Sequence, residues 1–139
     1  MLRTEFAAAF INARWWPNNP GHVLVIPNAH VENMYELSPE LAGHVHEVAR
    51  QVAIAFKHVY GCDGVSTRQH NEPAGSQEVW HYHMHVFPRY VGDELYTLTL
   101  RHRYTSAEER APYAERLRAY FASQGLAPAP RDVPAEPRG

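Results

Sequence analysis

The chain has 139 residues, 45% of them hydrophobic and 20% charged, which is typical of a single globular domain. Its formal net charge of −2 provides no basic field for nucleic acid or an anionic membrane surface. Because Cys62 is the only cysteine, an internal disulfide and a multi-cysteine zinc site are excluded, and no long apolar run indicates a signal peptide or a membrane span. We therefore expect a cytoplasmic protein with no nucleic-acid or membrane partner.

The first half of the chain predicts two strands and one long helix. Residues 4–12 are small and apolar, which favours a strand, whereas residues 12–20 hold three asparagines and two prolines, which favours a loop. The β-branched run at residues 22–27 predicts a central strand. Ser38, followed by proline, is a good helix start, and apolar residues then recur on one stripe until Gly61, so the longest helix is expected between them.

The second half predicts further strands and a second helix. Residues 64–69 and 79–88 have strand patterns on either side of a polar turn, and residues 95–100 suit an edge strand or an extended segment. A capping-box pattern at residues 106–109 begins a helix that should end at Gly125. Strands separated by one long helix and followed by another indicate an α+β fold with a mostly antiparallel sheet.

A change in composition divides the chain near its end. From residue 126 onward prolines recur without any periodicity, which is typical of a disordered tail or of a segment lying on a neighbour. The expected organisation is one domain over residues 1–125 and a proline-rich tail over residues 126–139.

Three histidines alternate with other residues in the predicted strand at 79–88. Because successive side chains of a strand point to opposite faces, His81, His83 and His85 are expected on one face. With ten histidines in the chain, about 0.05 chance matches to this spacing are expected, so the motif needs supporting context.

The histidine face has three possible interpretations. It could be a solvated strand face that happens to be rich in histidine. It could bind a metal, although residues four apart in a strand lie about 13 Å apart, so all three imidazoles cannot share one ion. It could also carry nucleophilic chemistry, because a neutral imidazole attacks phosphorus well and leaves well afterwards.

The segments around the triad resemble the histidine triad (HIT) family. Residues 81–87 match its signature, in which three histidines alternate with apolar residues, and residues 19–30 resemble its P-G-H-x-L-V-x-P strand. Residues 75–79 are similar to the glutamine-containing approach to the triad, and Pro88-Arg89 matches the frequent closing pair. The likeness covers about residues 5–90, with residues 9–14 most similar to the fragile histidine triad branch of dinucleoside polyphosphate hydrolases.

This resemblance implies a catalytic histidine group. His83 would attack the α-phosphorus and form a covalent nucleotidyl-histidine, which water or another acceptor resolves. His85 and His81 would flank the phosphate, and His22 would support them. The implied activity is a nucleotide hydrolase or transferase acting on a purine nucleotide derivative, either a dinucleoside polyphosphate or a phosphoramidate.

The resemblance also implies residues that bind the nucleotide. Asn12 would lie near the ribose, with Phe10 and Ile11 near the base. The implied phosphate contacts lie around the polar turn: Gln69, Asn71, Ser76 and Gln77. Family members are usually homodimers, so a homodimer is expected, with no cofactor required and Mg²⁺ possible with a polyphosphate substrate.

The sequence differs from the family pattern in two respects, and one alternative function is also possible on sequence grounds. Many members bind zinc through an N-terminal Cys-x-x-Cys segment, which this sequence does not contain, so no structural metal is expected. Ser76 adds one residue to the usual Gly-Gln pair, which leaves open which of Gln69, His70 and Asn71 contacts phosphate. A nucleotide-binding sensor or scaffold with little turnover is the alternative, because binding and catalysis use the same residues.

The roles of the two neighbouring tryptophans are also open. Trp15 and Trp16 lie in the predicted loop, where they could cover a base, pack at a dimer interface or form a hydrophobic plug.

Overall fold

The computed structural model describes residues 1–126, so the predicted proline-rich tail lies almost wholly outside the described residues. Within that range the chain forms seven strands and two α-helices. In chain order these are β1 (Leu2–Arg3), β2 (Ala7–Ile11), β3 (Arg14–Trp15), β4 (Val23–Pro27), α1 (Pro39–Val59), β5 (Gly64–Gln69), β6 (Met84–Arg89), β7 (Arg103–Tyr104) and α2 (Ala107–Ser123). The predicted α+β fold with a mostly antiparallel sheet is confirmed.

Five strands form the main sheet in the order β1-β2-β4-β6-β5, and every neighbouring pair is antiparallel. Strands β3 and β7 form a separate two-stranded ribbon. Both helices pack on one face of the main sheet, α1 across β2, β4 and β6, and α2 against α1 and β2. The other face of the sheet is therefore left for a ligand.

The helix boundaries follow their sequence signals. The Ser38 side chain accepts a hydrogen bond from the backbone N–H of Leu41, which caps α1. Ser106 and Glu109 form a reciprocal capping box at the start of α2. Both predicted helices are confirmed.

The hydrophobic core lies between the helices and the sheet. The buried residues of β4 are Val23, Val25 and Pro27, whereas the alternating Leu24 and Ile26 are half-buried on the opposite face. The helices contribute buried apolar residues that include Val52, Phe56, Leu117 and Phe121. Successive residues of each strand therefore alternate between the core and the open face of the sheet.

One glycine is required where the chain enters β4. Gly21 has φ of +78°, and a Cβ built there would lie 2.6 Å from both the Tyr113 ring and the Tyr60 hydroxyl oxygen. The Tyr60 hydroxyl also donates to the Gly21 carbonyl at 3.0 Å. This close packing determines the position of His22, the next residue.

Three local predictions are wrong. Residues 79–83 are not part of β6, because β5 ends at Gln69 and β4 pairs with β6 only as far as Val25, which leaves the segment no strand partner. Residues 95–100 form turns, and the short strand nearby is β7. The predicted loop at 12–20 contains β3, which pairs with β7.

Candidate active site

Two adjoining cavities open on the sheet face opposite the helices. The first is apolar, with a volume of about 360 Å³, and Phe10, Leu24, Ile26 and Val79 line it. The second is polar and has a volume of about 300 Å³. Its polar lining includes Arg14, Arg68, His70, Ser76 and His102. Volumes of this size suit small-molecule ligands.

His83 and His85 lie where the two cavities meet, because both side chains line both of them. Their ring centroids are 5.2 Å apart. His81 lines only the apolar cavity. The three histidines therefore converge on one site, although only His85 belongs to a regular strand.

The strand register explains how residues from four strands meet on this face. Phe10 pairs with Leu24, Leu24 pairs with His85, and Arg68 pairs with His85. Directly paired residues of antiparallel strands project from the same face of the sheet. The row Phe10–Leu24–His85–Arg68 therefore runs from an apolar edge, through a histidine, to a cation.

A backbone carbonyl sets the tautomer of His83. Its Nδ1 lies 2.9 Å from the carbonyl oxygen of His81. A carbonyl oxygen can only accept, so Nδ1 carries the proton and Nε2 keeps the lone pair. The imidazole thus holds a nucleophilic nitrogen at the junction of the cavities. In the same way His81 donates from Nε2 to the carbonyl oxygen of Pro27 at 3.0 Å.

His22 and His85 form a buried pair behind His83. His22 is fully buried, and its Nε2 accepts a hydrogen bond from the Asn12 side-chain amide at 2.9 Å. Nδ1 of His85 lies 3.5 Å from the same His22 nitrogen, and the Phe87 ring stacks on His22 with a centroid distance of 4.4 Å. His22 contacts neither cavity, so its position is that of a support for His85.

Burial keeps this pair neutral at pH 7. Loss of hydration lowers the pKa of His22 to about 3, and the positive charges of Arg68 and Arg14 add to the effect. Loss of hydration likewise lowers the pKa of His85 to about 2, with smaller contributions from His22, His83 and Arg68. His85 can therefore offer a neutral imidazole to the substrate.

The predicted base and ribose residues divide between the two sides of β2. Phe10 and Asn12 line the apolar cavity. Ile11 points to the opposite face and belongs to the hydrophobic core. The role of Ile11 beside the base stays a prediction, and the structure offers Leu24 and Ile26 as apolar walls that sequence reasoning missed.

Among the residues predicted to contact phosphate, Ser76 and the alternative candidate His70 line the polar cavity. Gln69 and Asn71 exchange two hydrogen bonds of 2.8 Å between their side-chain amides. Gln77 is buried: its carbonyl oxygen accepts from the Glu72 N–H, and its amide donates to the carbonyl oxygens of Glu32 and Val79. Gln69, Asn71 and Gln77 organise the loop before the triad, and their phosphate contacts stay predictions.

Several cavity residues were missed by the sequence analysis. Besides Leu24 and Ile26, they include Arg14, Arg68, Glu78, His102 and Tyr104. Arg14 and Glu78 form an ion pair of 3.3 Å at the junction of the cavities. Alternation in the strand at 64–69 assigns Arg68 to one face, but only the strand register shows that its neighbour is His85.

The structure separates the two tryptophans. Trp15 packs in the core against the Tyr113 ring. Trp16 lines the polar cavity, donates from its indole nitrogen to the Thr99 carbonyl oxygen at 3.0 Å and lies edge-on to His22. Trp16 therefore forms a wall of the site, whereas Trp15 supports the fold.

Two features are absent from the described part of the chain: a metal-binding cluster and a membrane-spanning helix. In residues 1–126 no group of three or more His, Cys, Asp or Glu side chains is arranged to hold a metal ion. Over the same residues, no helix combines the length and apolar character needed to cross a bilayer.

Known proteins share this sequence pattern and fold. The family model described as HIT domain matches residues 2–92. Protein hit of Bacillus subtilis is 41% identical over 70 residues, which cover 50% of this chain and 48% of that protein. The asymmetrical bis(5′-nucleosyl)-tetraphosphatase of Schizosaccharomyces pombe is 32% identical, with 66% of this chain and 49% of that protein covered. The adenosine 5′-monophosphoramidase of Saccharomyces cerevisiae is 28% identical, with 64% and 52% covered. The chain thus spans about half the length of these curated relatives.

Two solved structures are similar over most of the chain. A Hit-like protein of Bartonella henselae involved in cell-cycle regulation has a TM-score of 0.75 and 32% identity, with 84% of this chain and 82% of that chain covered. A zinc-bound histidine triad family protein of Mycobacterium smegmatis has a TM-score of 0.73 and 29% identity, with 88% and 83% covered.

Proposed function

The chain belongs to the HIT domain family, and from this premise we propose that it is a nucleotide hydrolase or transferase. It would cleave at the α-phosphate of a purine nucleotide derivative through a covalent nucleotide on His83. The observation that carries the proposal is the hydrogen bond from Nδ1 of His83 to the His81 carbonyl oxygen, which leaves Nε2 free at the junction of the two cavities. Relatives named as a tetraphosphatase and a monophosphoramidase agree with this reaction class.

The first half-reaction forms a bond from Nε2 of His83 to the α-phosphorus. The bond from phosphorus to the leaving group breaks, and the leaving group takes its electron pair; an amine leaving group also takes up a proton from solvent. The proton on Nδ1 stays in place, so the nucleotidyl imidazole is positively charged and the His81 carbonyl oxygen stabilises it. The neutral His85, at 5.2 Å between ring centroids, lies where it can position the phosphate oxygens.

The second half-reaction restores the histidine. A water molecule attacks the phosphorus, the phosphorus–nitrogen bond breaks, and its electron pair returns to Nε2 of His83. The water proton passes to solvent and the nucleoside monophosphate leaves. Another acceptor in place of water would make the protein a transferase.

The cavities suggest how the substrate lies. Phe10, Leu24 and Ile26 offer an apolar surface for the base, and Asn12 lies beside them for the ribose. The polar cavity on the other side of His83 is then the place for the leaving group. Gln69, Asn71, Ser76 and Gln77 would complete the phosphate contacts from the loop before the triad.

The proposed reaction uses no resident metal. The zinc named for the Mycobacterium smegmatis protein has no matching cluster in residues 1–126 of this chain, so we assign no step to it. Mg²⁺ would enter only as the counter-ion of a polyphosphate substrate.

We also propose a cytoplasmic homodimer. Large apolar side chains are exposed on two segments that are joined by a hydrogen bond from the Gln77 amide to the Glu32 carbonyl oxygen. They include Tyr35 and Val79, which are 69% and 58% exposed. Exposed apolar groups of this kind favour a protein interface, and sedimentation equilibrium measures the resulting mass.

The test is AMP release from diadenosine triphosphate and from adenosine 5′-phosphoramidate by the wild type and by His83→Ala. We expect the wild type to release AMP and the variant to lose at least about 10⁴-fold in kcat, because a nucleophile has no substitute in a two-step displacement. An AMP-binding protein that releases nothing from either substrate would instead be the sensor or scaffold. The exposed His46→Ala on α1 is the matched control.

A further inference from the structure

The polar cavity contains a guanidinium group that nothing in the described chain neutralises. Among residues 1–126 the Arg68 side chain makes no hydrogen bond or ion pair, and its Nε is buried without a partner. Its guanidinium lies 4.9 Å from the centroid of the Phe87 ring and 5.4 Å from that of Trp16. A half-buried charge without a counter-charge is costly, so the presence of Arg68 at this position favours an anionic ligand.

The other polar groups of the cavity provide no counter-charge for Arg68. His102 lines the cavity with a buried Nδ1 that has no hydrogen-bond partner. His70 also lines it and donates from Nδ1 to the Ser76 carbonyl oxygen at 3.2 Å, which leaves its Nε2 free. The single carboxylate that lines the cavity, on Glu78, is already paired with Arg14. Among the described residues that line the cavity, Arg68 is therefore the one charged side chain without a counter-charge.

The strand register puts Arg68 on the leaving-group side of the reaction. In the row Phe10–Leu24–His85–Arg68, the apolar residues lie on one side of His85 and the guanidinium lies on the other. Neighbouring strands are about 4.8 Å apart, so the Arg68 side chain begins one strand beyond His85 and can extend over the polar cavity that both residues line. When the base of the substrate lies beside Phe10 and its α-phosphate lies at His83, the group that follows the α-phosphate extends toward Arg68.

We propose that Arg68 is a specificity-determining residue that binds the β-phosphate, so that nucleoside 5′-polyphosphates are preferred over phosphoramidates. This inference rests on the proposed function. When the bond from the α-phosphorus to the bridging oxygen breaks, the electron pair stays on that oxygen and the leaving group gains negative charge. A guanidinium stabilises this charge directly, whereas an amine leaving group gains no charge that Arg68 could stabilise and needs a proton instead.

The test compares two substrates that form the same intermediate. For diadenosine triphosphate and adenosine 5′-phosphoramidate, kcat/KM is measured with the wild type, Arg68→Gln and Arg68→Lys. We expect Arg68→Gln to lose about 10- to 100-fold on the triphosphate, as for the loss of a charge-assisted hydrogen bond, and less than about threefold on the phosphoramidate. Arg68→Lys should recover part of the loss, because it keeps the charge.

Retained phosphoramidate turnover shows that the variants fold and that their His83 still works. Arg50→Gln removes one positive charge from an exposed position on α1 and should change neither reaction. An equal loss on both substrates, or no loss on the triphosphate, would overturn the assignment of Arg68.

A binding measurement separates this inference from the proposed function. Calorimetry of AMP and of ADP needs no turnover, and we expect the wild type to bind ADP at least about tenfold more tightly, because of one additional charge-assisted contact. Arg68→Gln should remove most of that difference. If the wild type shows turnover but Arg68→Gln keeps the same preference for ADP over AMP, the assignment of Arg68 is wrong and the proposed function still holds. If the wild type cleaves neither substrate, the proposed function is wrong, whatever the binding result.

Discussion

At the scale of single residues, the site depends on keeping two imidazoles neutral. His22 and His85 are buried, and the loss of hydration moves the pKa of each far below its ordinary value of 6.5, to about 3 and about 2. The unfolded chain therefore binds up to two more protons than the folded chain between pH 6.5 and about 3. Stability rises with pH wherever the unfolded state binds more protons. The contribution of these histidines is complete above pH 6.5 and decreases as the pH falls below it.

We predict that the free energy of unfolding falls by about 2–4 kcal/mol between pH 7 and pH 5, at up to about 1.4 kcal/mol per pH unit for each histidine. Urea denaturation at several pH values measures this slope. His22→Gln removes one titrating group and should reduce the slope, whatever its effect on stability at pH 7. A flat profile from pH 7 to pH 5 would show that neither ring is held neutral by burial.

At the scale of elements, the sheet is connected to the loop after β6 by a buried ion pair. Asp93 accepts hydrogen bonds from Nε of Arg89 at 2.7 Å and from the side-chain amide of Asn19 at 2.9 Å, and its side chain is 2% exposed. These bonds hold the pKa of Asp93 well below its usual range. Arg89, the last residue of β6, thus connects the end of this strand to the loop that follows it.

We predict that Asp93→Asn destabilises the fold by about 2–4 kcal/mol, because it leaves the partly buried Arg89 without its counter-charge. The exposed pair of Glu47 and Arg50 on α1 is the matched control, and Glu47→Gln should leave stability unchanged within error. Thermal denaturation at pH 7 compares the two variants. Equal melting temperatures for both would mean that the buried pair contributes no more than the exposed one.

Elements also show where sequence reasoning succeeds and where it fails. The helices were predictable because Ser38 and the capping box of Ser106 and Glu109 are local signals. The histidine segment was predicted as a strand because His81 and His83 alternate with apolar residues. In the structure these two histidines are positioned by bonds to the carbonyl oxygens of Pro27 and His81, so the alternation there reflects the site and not a strand ladder.

At the scale of the whole molecule, the site combines residues that are far apart in the sequence. The triad was predictable from a single segment, and its likeness to the HIT family indicated His22 as well. The positions of Arg68 and His102 in the site could not be predicted from the sequence. The position of Arg68 depends on strand register, and that of His102 depends on the path of the chain between residues 95 and 104. Gln77 was predicted as a phosphate contact, yet in this structure all its hydrogen bonds go to the surrounding backbone.

The central claim is that His83 carries the nucleotide during turnover. The most direct measurement is intact-protein mass spectrometry after rapid quenching of the wild type with excess diadenosine triphosphate, followed by peptide mapping under conditions that preserve phosphorus–nitrogen bonds. The account predicts an increase by one adenylyl group, located on His83 and absent from His83→Ala. Turnover by the wild type with no adduct at early times, together with inversion of configuration at the α-phosphorus, would contradict it and show that water attacks the substrate directly.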